Sequence, residues 1–175
     1  MKKHLSVLLA ATCVGSLVTM AGCSKPADKA EPKAEVHRYA LINSTFPISR
    51  AVEVPGGKTL LFHSGMTPDP AKPDAEKGSA EYWGDTKTQA LSVLTKTKAS
   101  VESMGLTMGD AVKMTVFLVG PTPGAAMDFA GMMEAYTQFF GTADQPNLPA
   151  RSAVQVAGLA APGMLVEIEI VFARP

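Results

Sequence analysis

The sequence predicts an α+β domain, and three observations carry that prediction. Segments with strand periodicity bracket the globular part at both ends, the last of them the strongest in the chain. Two stretches with helical spacing lie between these brackets. Hairpin-type turn chemistry, rather than a run of repeated strand–helix units, argues against a doubly wound sheet.

The elements follow in order. Val36 to Ile42 reads as a first strand and Ala51 to Val54 as a short second one. Pro55-Gly56-Gly57-Lys58 supplies turn residues, and Thr59 to His63 is an apolar strand. Together the second and third strands predict a hairpin around a four-residue turn. Thr67 to Gly84, with three prolines, reads as a loop. Asp85 is placed as a helix N-cap, after which Ala90, Leu91, Leu94, Val101 and Met104 recur at helical spacing and Gly105 ends the helix. Lys113 to Val119 alternates, with Met114, Val116 and Leu118 on one side. Thr122-Pro123 predicts the start of a second helix with an apolar stripe of Phe129, Met132, Met133, Tyr136, Phe139 and Phe140, closed by Gly141. Ser152 to Val156 and Met164 to Ala173 are the closing strands. Counted from the predicted hairpin, with the Val36 to Ile42 strand ahead of it, the order is ββαβαββ.

The amino terminus predicts export. Met1-Lys2-Lys3-His4 is a short basic start, and Leu5 to Met20 is an uncharged apolar run too short for a comfortable membrane span. Met20-Ala21-Gly22-Cys23 resembles the lipobox of bacterial lipoproteins, which makes Cys23 the lipidated residue. Residues 1–22 are then a signal peptide, 23–35 a lipidated cysteine with a Lys-, Glu- and Pro-bearing tether, and 36–175 the domain. The tether extends to about 40 Å. Ser24, not Asp, follows Cys23, which by resemblance to enterobacterial lipoproteins points to the periplasmic face of the outer membrane. Cys13 leaves with the signal, so the domain has no cysteine pair. Removal of Lys2 and Lys3 leaves 14 basic and 16 acidic residues, a net of −2 that lacks the electrostatic footprint of a nucleic-acid binder.

The search for chemistry removes several classes. The chain has no zinc spacing, no HExxH, no P-loop and no GxGxxG. Its three histidines are His4, His37 and His63, and nothing adjacent in sequence to the last two suggests an activated serine. Arg151, just after Pro149 at a strand start, and Glu167, in the middle of what reads as its hairpin partner, remain. Neighbouring antiparallel strands would bring both to one ligand. An arginine fork matches a carboxylate, and a glutamate can orient or deprotonate a water. A structural Arg–Glu pair across a hairpin would leave the same trace in the sequence.

Four stretches in order add a family resemblance. They are Phe62-His63-Ser64-Gly65-Met66-Thr67-Pro68; Gln89 through Gly105 with Leu106 to Lys113; Phe129 to Phe140; and Leu148-Pro149-Ala150-Arg151-Ser152 with Val166-Glu167-Ile168-Glu169. Over about Pro47 to Phe172 these resemble the RidA/YjgF family. The resemblance implies a chorismate-mutase-like fold that forms homotrimers with clefts between subunits. It implies hydrolysis of 2-imino and enamine acids to 2-keto acids and ammonia, with no metal or organic cofactor. Arg151 would clamp the substrate carboxylate, Glu167 would help place the attacking water, and Ser64 and Gly65 would lie near the cleft.

The chain departs from that pattern at three aligned positions. Ala51 replaces a usual tyrosine, Ala153 a frequent cysteine, and Met133 an asparagine of the second helix. These substitutions predict a roomier, more apolar cleft that accepts a bulkier imino acid. Two other readings stay open: a non-catalytic trimeric binding module for a small carboxylate, and a tethered interaction protein with a vestigial pocket.

Overall fold

Alternating burial on two central strands sets the architecture. In the computed structural model, which describes residues 34–175, Met114, Val116 and Leu118 of β4 (Ala111–Leu118) are fully buried. So are Ile168, Ile170 and Phe172 of β6 (Val166–Ala173). Pleating sends these side chains to one face of the sheet. The predicted signal segment, Cys23 and the tether up to Lys33 lie outside the described residues. Ala34–Pro175 form one unit.

The other strands are β1 (His37–Ala40), β2 (Ser49–Glu53), β3 (Leu60–Met66) and β5 (Ala150–Gln155). The six-stranded sheet has the order β1-β2-β5-β4-β6-β3. β4 and β5 are parallel, joined by a crossover that contains α3 (Phe129–Tyr136), whereas β6 runs antiparallel to both β4 and β3. The mixed sheet with two main helices on one side is the α+β architecture that the patterning predicts, with three strands ahead of the first long helix.

That helix, α2 (Thr86–Ser103), begins where its cap residue dictates: the Asp85 carboxylate accepts from Thr88 N at 2.8 Å. Ala90, Val93, Leu94 and Val101 of α2 pack with Met132, Ala135 and Tyr136 of α3 against the buried face of β4 and β6. The short α1 (Ala80–Trp83) interrupts the predicted loop, capped by Ser79, and Trp83 Nε1 donates to Pro162 O.

Three expectations are corrected. The second helix starts at Phe129 behind an Asp128 cap, not at Thr122-Pro123; the cap hydrogen bond to Gly131 N outweighs the positional preference of Pro123. β2 does not pair with β3. It pairs with β1 and makes a single parallel bridge to β5 at Ser49↔Ala150. Bonds from Ser49 Oγ to Leu148 O, Ser49 N to Pro149 O and Tyr136 Oη to Pro47 O hold this end of the β1–β2 hairpin beside β5. Nor do β5 and β6 form a hairpin, because β4 lies between them.

The second face of the sheet carries Lys113, Thr115 and Phe117 of β4, Glu167, Glu169 and Val171 of β6, and Phe62 of β3. Its rim is open: Phe62 is 76% exposed and Val154 41%.

Candidate functional site

Arg151 is set by β5. It pairs with Met114 of β4 and therefore shares the helix-side face. Its guanidinium carbon lies 4.2 Å from the Tyr136 ring centroid, 5.5 Å from that of Phe46 and 5.7 Å from that of Phe129. Nη1 donates to Met133 Sδ at 3.1 Å. Each ring presents its electron-rich face to the cation. Among the described residues the ion pairs all use lysine, and no carboxylate meets Arg151. Its Nε and Nη2 have no hydrogen-bond partner among them either. Burial pushes the Arg151 pKa down, but a guanidinium starts so high that it stays charged at neutral pH. Burial likewise pushes the Tyr136 phenol up to about 12, partly countered by the Arg151 charge, so the phenol stays neutral and donates to Pro47 O.

Glu167 belongs to a different cluster. It pairs with Phe117 on the uncovered face, whereas Arg151 pairs with Met114. The two positions on β4 are an odd number apart, so Arg151 and Glu167 project to opposite faces of the sheet. The expectation that neighbouring strands bring them to one ligand within a chain is therefore overturned. What adjoins Glu167 is Gly65. The β3–β6 register shifts between His63 and Met66, a β-bulge that inserts one extra residue there. A Cβ on Gly65 would collide with Glu167 Oε1, so glycine is what lets the bulge close on the carboxylate.

The remaining candidates divide between these clusters or fall outside both. Met133 touches Arg151 directly. Ala153 lies two residues on from Arg151 on the same face and packs against the core. Ala51 is exposed on β2, directly across from Tyr39 of β1, whose hydroxyl donates to Glu53 at 2.7 Å. His63 has a serine partner that adjacency in sequence does not reveal: Nε2 is 3.0 Å from Ser100 Oγ of α2, and Nδ1 is 3.0 Å from Ser64 O, which ties α2 to β3. Among the described residues no group of three His, Cys, Asp or Glu is placed to hold a metal ion. A cavity of about 500 Å³ beyond the carboxyl ends of β4 and β5 is lined by Val119, Gly120, Gln155 and Leu165 and contains neither Arg151 nor Glu167.

Sequence reasoning missed Phe46 and read Phe129 and Tyr136 only as a core stripe. Phe46 sits in an irregular loop, where no periodicity singles out a residue.

The chain matches the family model described as Endoribonuclease L-PSP over residues 40–173. A 2-iminobutanoate/2-iminopropanoate deaminase of Escherichia coli K12 is 38% identical over 115 residues, which cover 66% of this chain and 80% of that protein. A RutC family protein of Pyrococcus horikoshii is 35% identical over 126 residues, 71% of this chain and 85% of that protein. The crystal structure of Escherichia coli TdcF with bound serine aligns at 32% identity with a TM-score of 0.52, covering 82% of this chain and 100% of that one. The six-stranded mixed sheet, the two main helices and these similarities agree, and the chain belongs to the RidA/YjgF family.

Proposed function

We propose that this domain is a hydrolytic deaminase of 2-imino and enamine acids, working as a homotrimer. The observation that carries the reading is Arg151: a half-buried cation held by three rings and a thioether, with no acid among the described residues to neutralise it and one edge of donors left over. Such a fork suits a carboxylate. The deaminase name of the Escherichia coli relative and the serine bound to TdcF support the same chemistry.

In the reaction, water adds to the imine carbon and forms a carbinolamine. The nitrogen gains a proton and departs as ammonia, leaving the 2-keto acid. Glu167 relays both water protons to nitrogen in turn, the first as water adds to the imine and the second from the carbinolamine hydroxyl as the carbon–nitrogen bond breaks. Because Arg151 and Glu167 face opposite ways in one chain, the reading needs Glu167 of a second copy beside Arg151 of the first. The same separation favours the alternative, a trimeric carboxylate-binding module without turnover, if assembly leaves the two groups apart.

The test generates imino acids in situ with an amino-acid oxidase and traps them with semicarbazide. Faster imine loss that disappears in Arg151→Ala supports the deaminase; no effect on small, branched and aromatic substrates rejects it. The domain is further proposed to be tethered through lipidated Cys23 to the periplasmic face of the outer membrane. Cys23→Ser should then move the protein from the membrane fraction to the soluble fraction.

A further inference from the structure

We infer that Phe46 determines substrate specificity, selecting 2-imino acids with an aromatic side chain over small aliphatic ones. The inference rests on Arg151 as the carboxylate clamp and deepens that reading.

Phe46 joins two features. Its ring flanks the Arg151 guanidinium at 5.5 Å and runs nearly parallel to that of Phe129, with 15° between the planes and 6.3 Å between centroids. It also walls a cavity of about 310 Å³, whose lining mixes Leu41, Ile48 and Leu148 with Arg38, Ser49 and Asn147. A cavity of roughly 150 Å³ already accepts a benzene-sized group. A carboxylate on the free edge of Arg151 therefore has an aromatic shelf beside it.

The shelf is built rigidly. Phe46 N donates to Ser44 Oγ, Phe46 O accepts from Ile48 N at 2.8 Å, and the next carbonyl, Pro47 O, accepts from Tyr136 Oη at 2.9 Å. Phe46 is 39% exposed. An anchored backbone under a partly exposed ring is the arrangement that loses little entropy when a ligand covers it.

Binding of the product 2-keto acids tests this without requiring turnover. Titration calorimetry with phenylpyruvate and 2-oxobutanoate should show the wild-type protein preferring the aromatic acid by about tenfold, the scale of burying one ring. Phe46→Ala should reduce that preference to about twofold or less, with Phe46→Leu between them. Circular dichroism melting checks that both variants fold. A wild-type protein without preference, or variants that lose affinity for both acids equally, overturns the inference. If the protein binds phenylpyruvate selectively through Phe46 yet hydrolyses no imine, the deaminase reading falls and the specificity assignment survives. If it hydrolyses small imines as fast as aromatic ones, the assignment falls and the deaminase survives. Failure to bind either acid overturns both.

Discussion

The guanidinium carbon of Arg151 lies over the ring of Tyr136, 4.2 Å from its centroid, and the Tyr136 hydroxyl reaches away to Pro47 O. One side chain thus performs two tasks. Its face supports a half-buried cation without neutralising it, and its tip fastens the loop that carries Phe46. Tyr136 is 1% exposed, so neither task is shared with water.

That burial makes a pH prediction. The folded Tyr136 phenol titrates at about 12 against an ordinary value of 10, mainly because charging it inside the protein is unfavourable. A raised pKa contributes stability in full below pH 10, and that contribution disappears as pH rises toward 12. Wild type should lose on the order of 2–3 kcal/mol relative to Tyr136→Phe across this window. At neutral pH the order is reversed, with the variant weaker by about 1 kcal/mol for its lost hydrogen bond. Urea melts of both proteins from pH 7 to 11.5 measure the crossing.

Arg151→Lys keeps a positive charge but removes the planar fork and the stacking that three rings supply. Affinity for 2-keto acids should fall by about 10- to 100-fold, close to the loss in Arg151→Ala. Calorimetry with both variants checks this; a lysine that binds as well as arginine would mean that charge alone suffices.

How much of this was legible in the sequence follows from how local each signal is. The alternation of Met114, Val116 and Leu118, the Asp85 cap and the Gly105 stop are set within a few residues and emerge where the pattern puts them. Strand neighbours are not local. Pro55-Gly56-Gly57-Lys58 permits a tight hairpin, yet bonds from Ser49 and to Pro47 hold the β1–β2 hairpin beside β5 instead. Arg151 and Glu167 stand out in the sequence as candidates, but their separation does not. It depends on β4 entering between β5 and β6 and on the parity of two registers. Phe46 left no trace because its role comes from Tyr136 and Phe129, about 90 and 83 positions away.

Gly65 is required by its neighbour rather than by its dihedrals. A methyl group there would occupy the position of Glu167 Oε1. The glutamate chain is flexible and partly exposed, so Gly65→Ala should cost only about 1 kcal/mol of stability while swinging the carboxylate out of place. Imine hydrolysis should drop at least about tenfold with 2-keto acid affinity nearly unchanged. Parallel loss of folding and activity would show instead that the bulge itself collapses.

Gln89 is fully buried and satisfies three backbone groups. Its Nε2 donates to Gly84 O and Gly163 O, and its Oε1 accepts from Leu165 N at 2.7 Å. These bonds fasten α2 to the segment entering β6, two residues before Glu167. Gln89→Leu fills similar volume but leaves all three groups unpaired, which should cost on the order of 3 kcal/mol and lower Tm by about 10 °C. Differential scanning calorimetry reads this directly.

The opposed faces of Arg151 and Glu167 give the most decisive expectation. If each cleft takes its clamp from one copy and its water-placing acid from another, two inactive variants should rescue each other. Arg151→Ala chains supply intact Glu167, and Glu167→Gln chains supply intact Arg151. In mixed trimers some clefts receive both native groups: about a quarter of them for random one-to-one mixing. Co-refolded or co-expressed variants should therefore regain about a quarter of wild-type imine hydrolysis, whereas the separately prepared proteins merely combined should stay inactive until subunits exchange. A site contained in one chain predicts no recovery at any ratio, since every chain would then carry one broken group. Recovery that follows the mixing ratio, peaking at equal proportions, would tie catalysis to the contact between copies rather than to a slow contaminant.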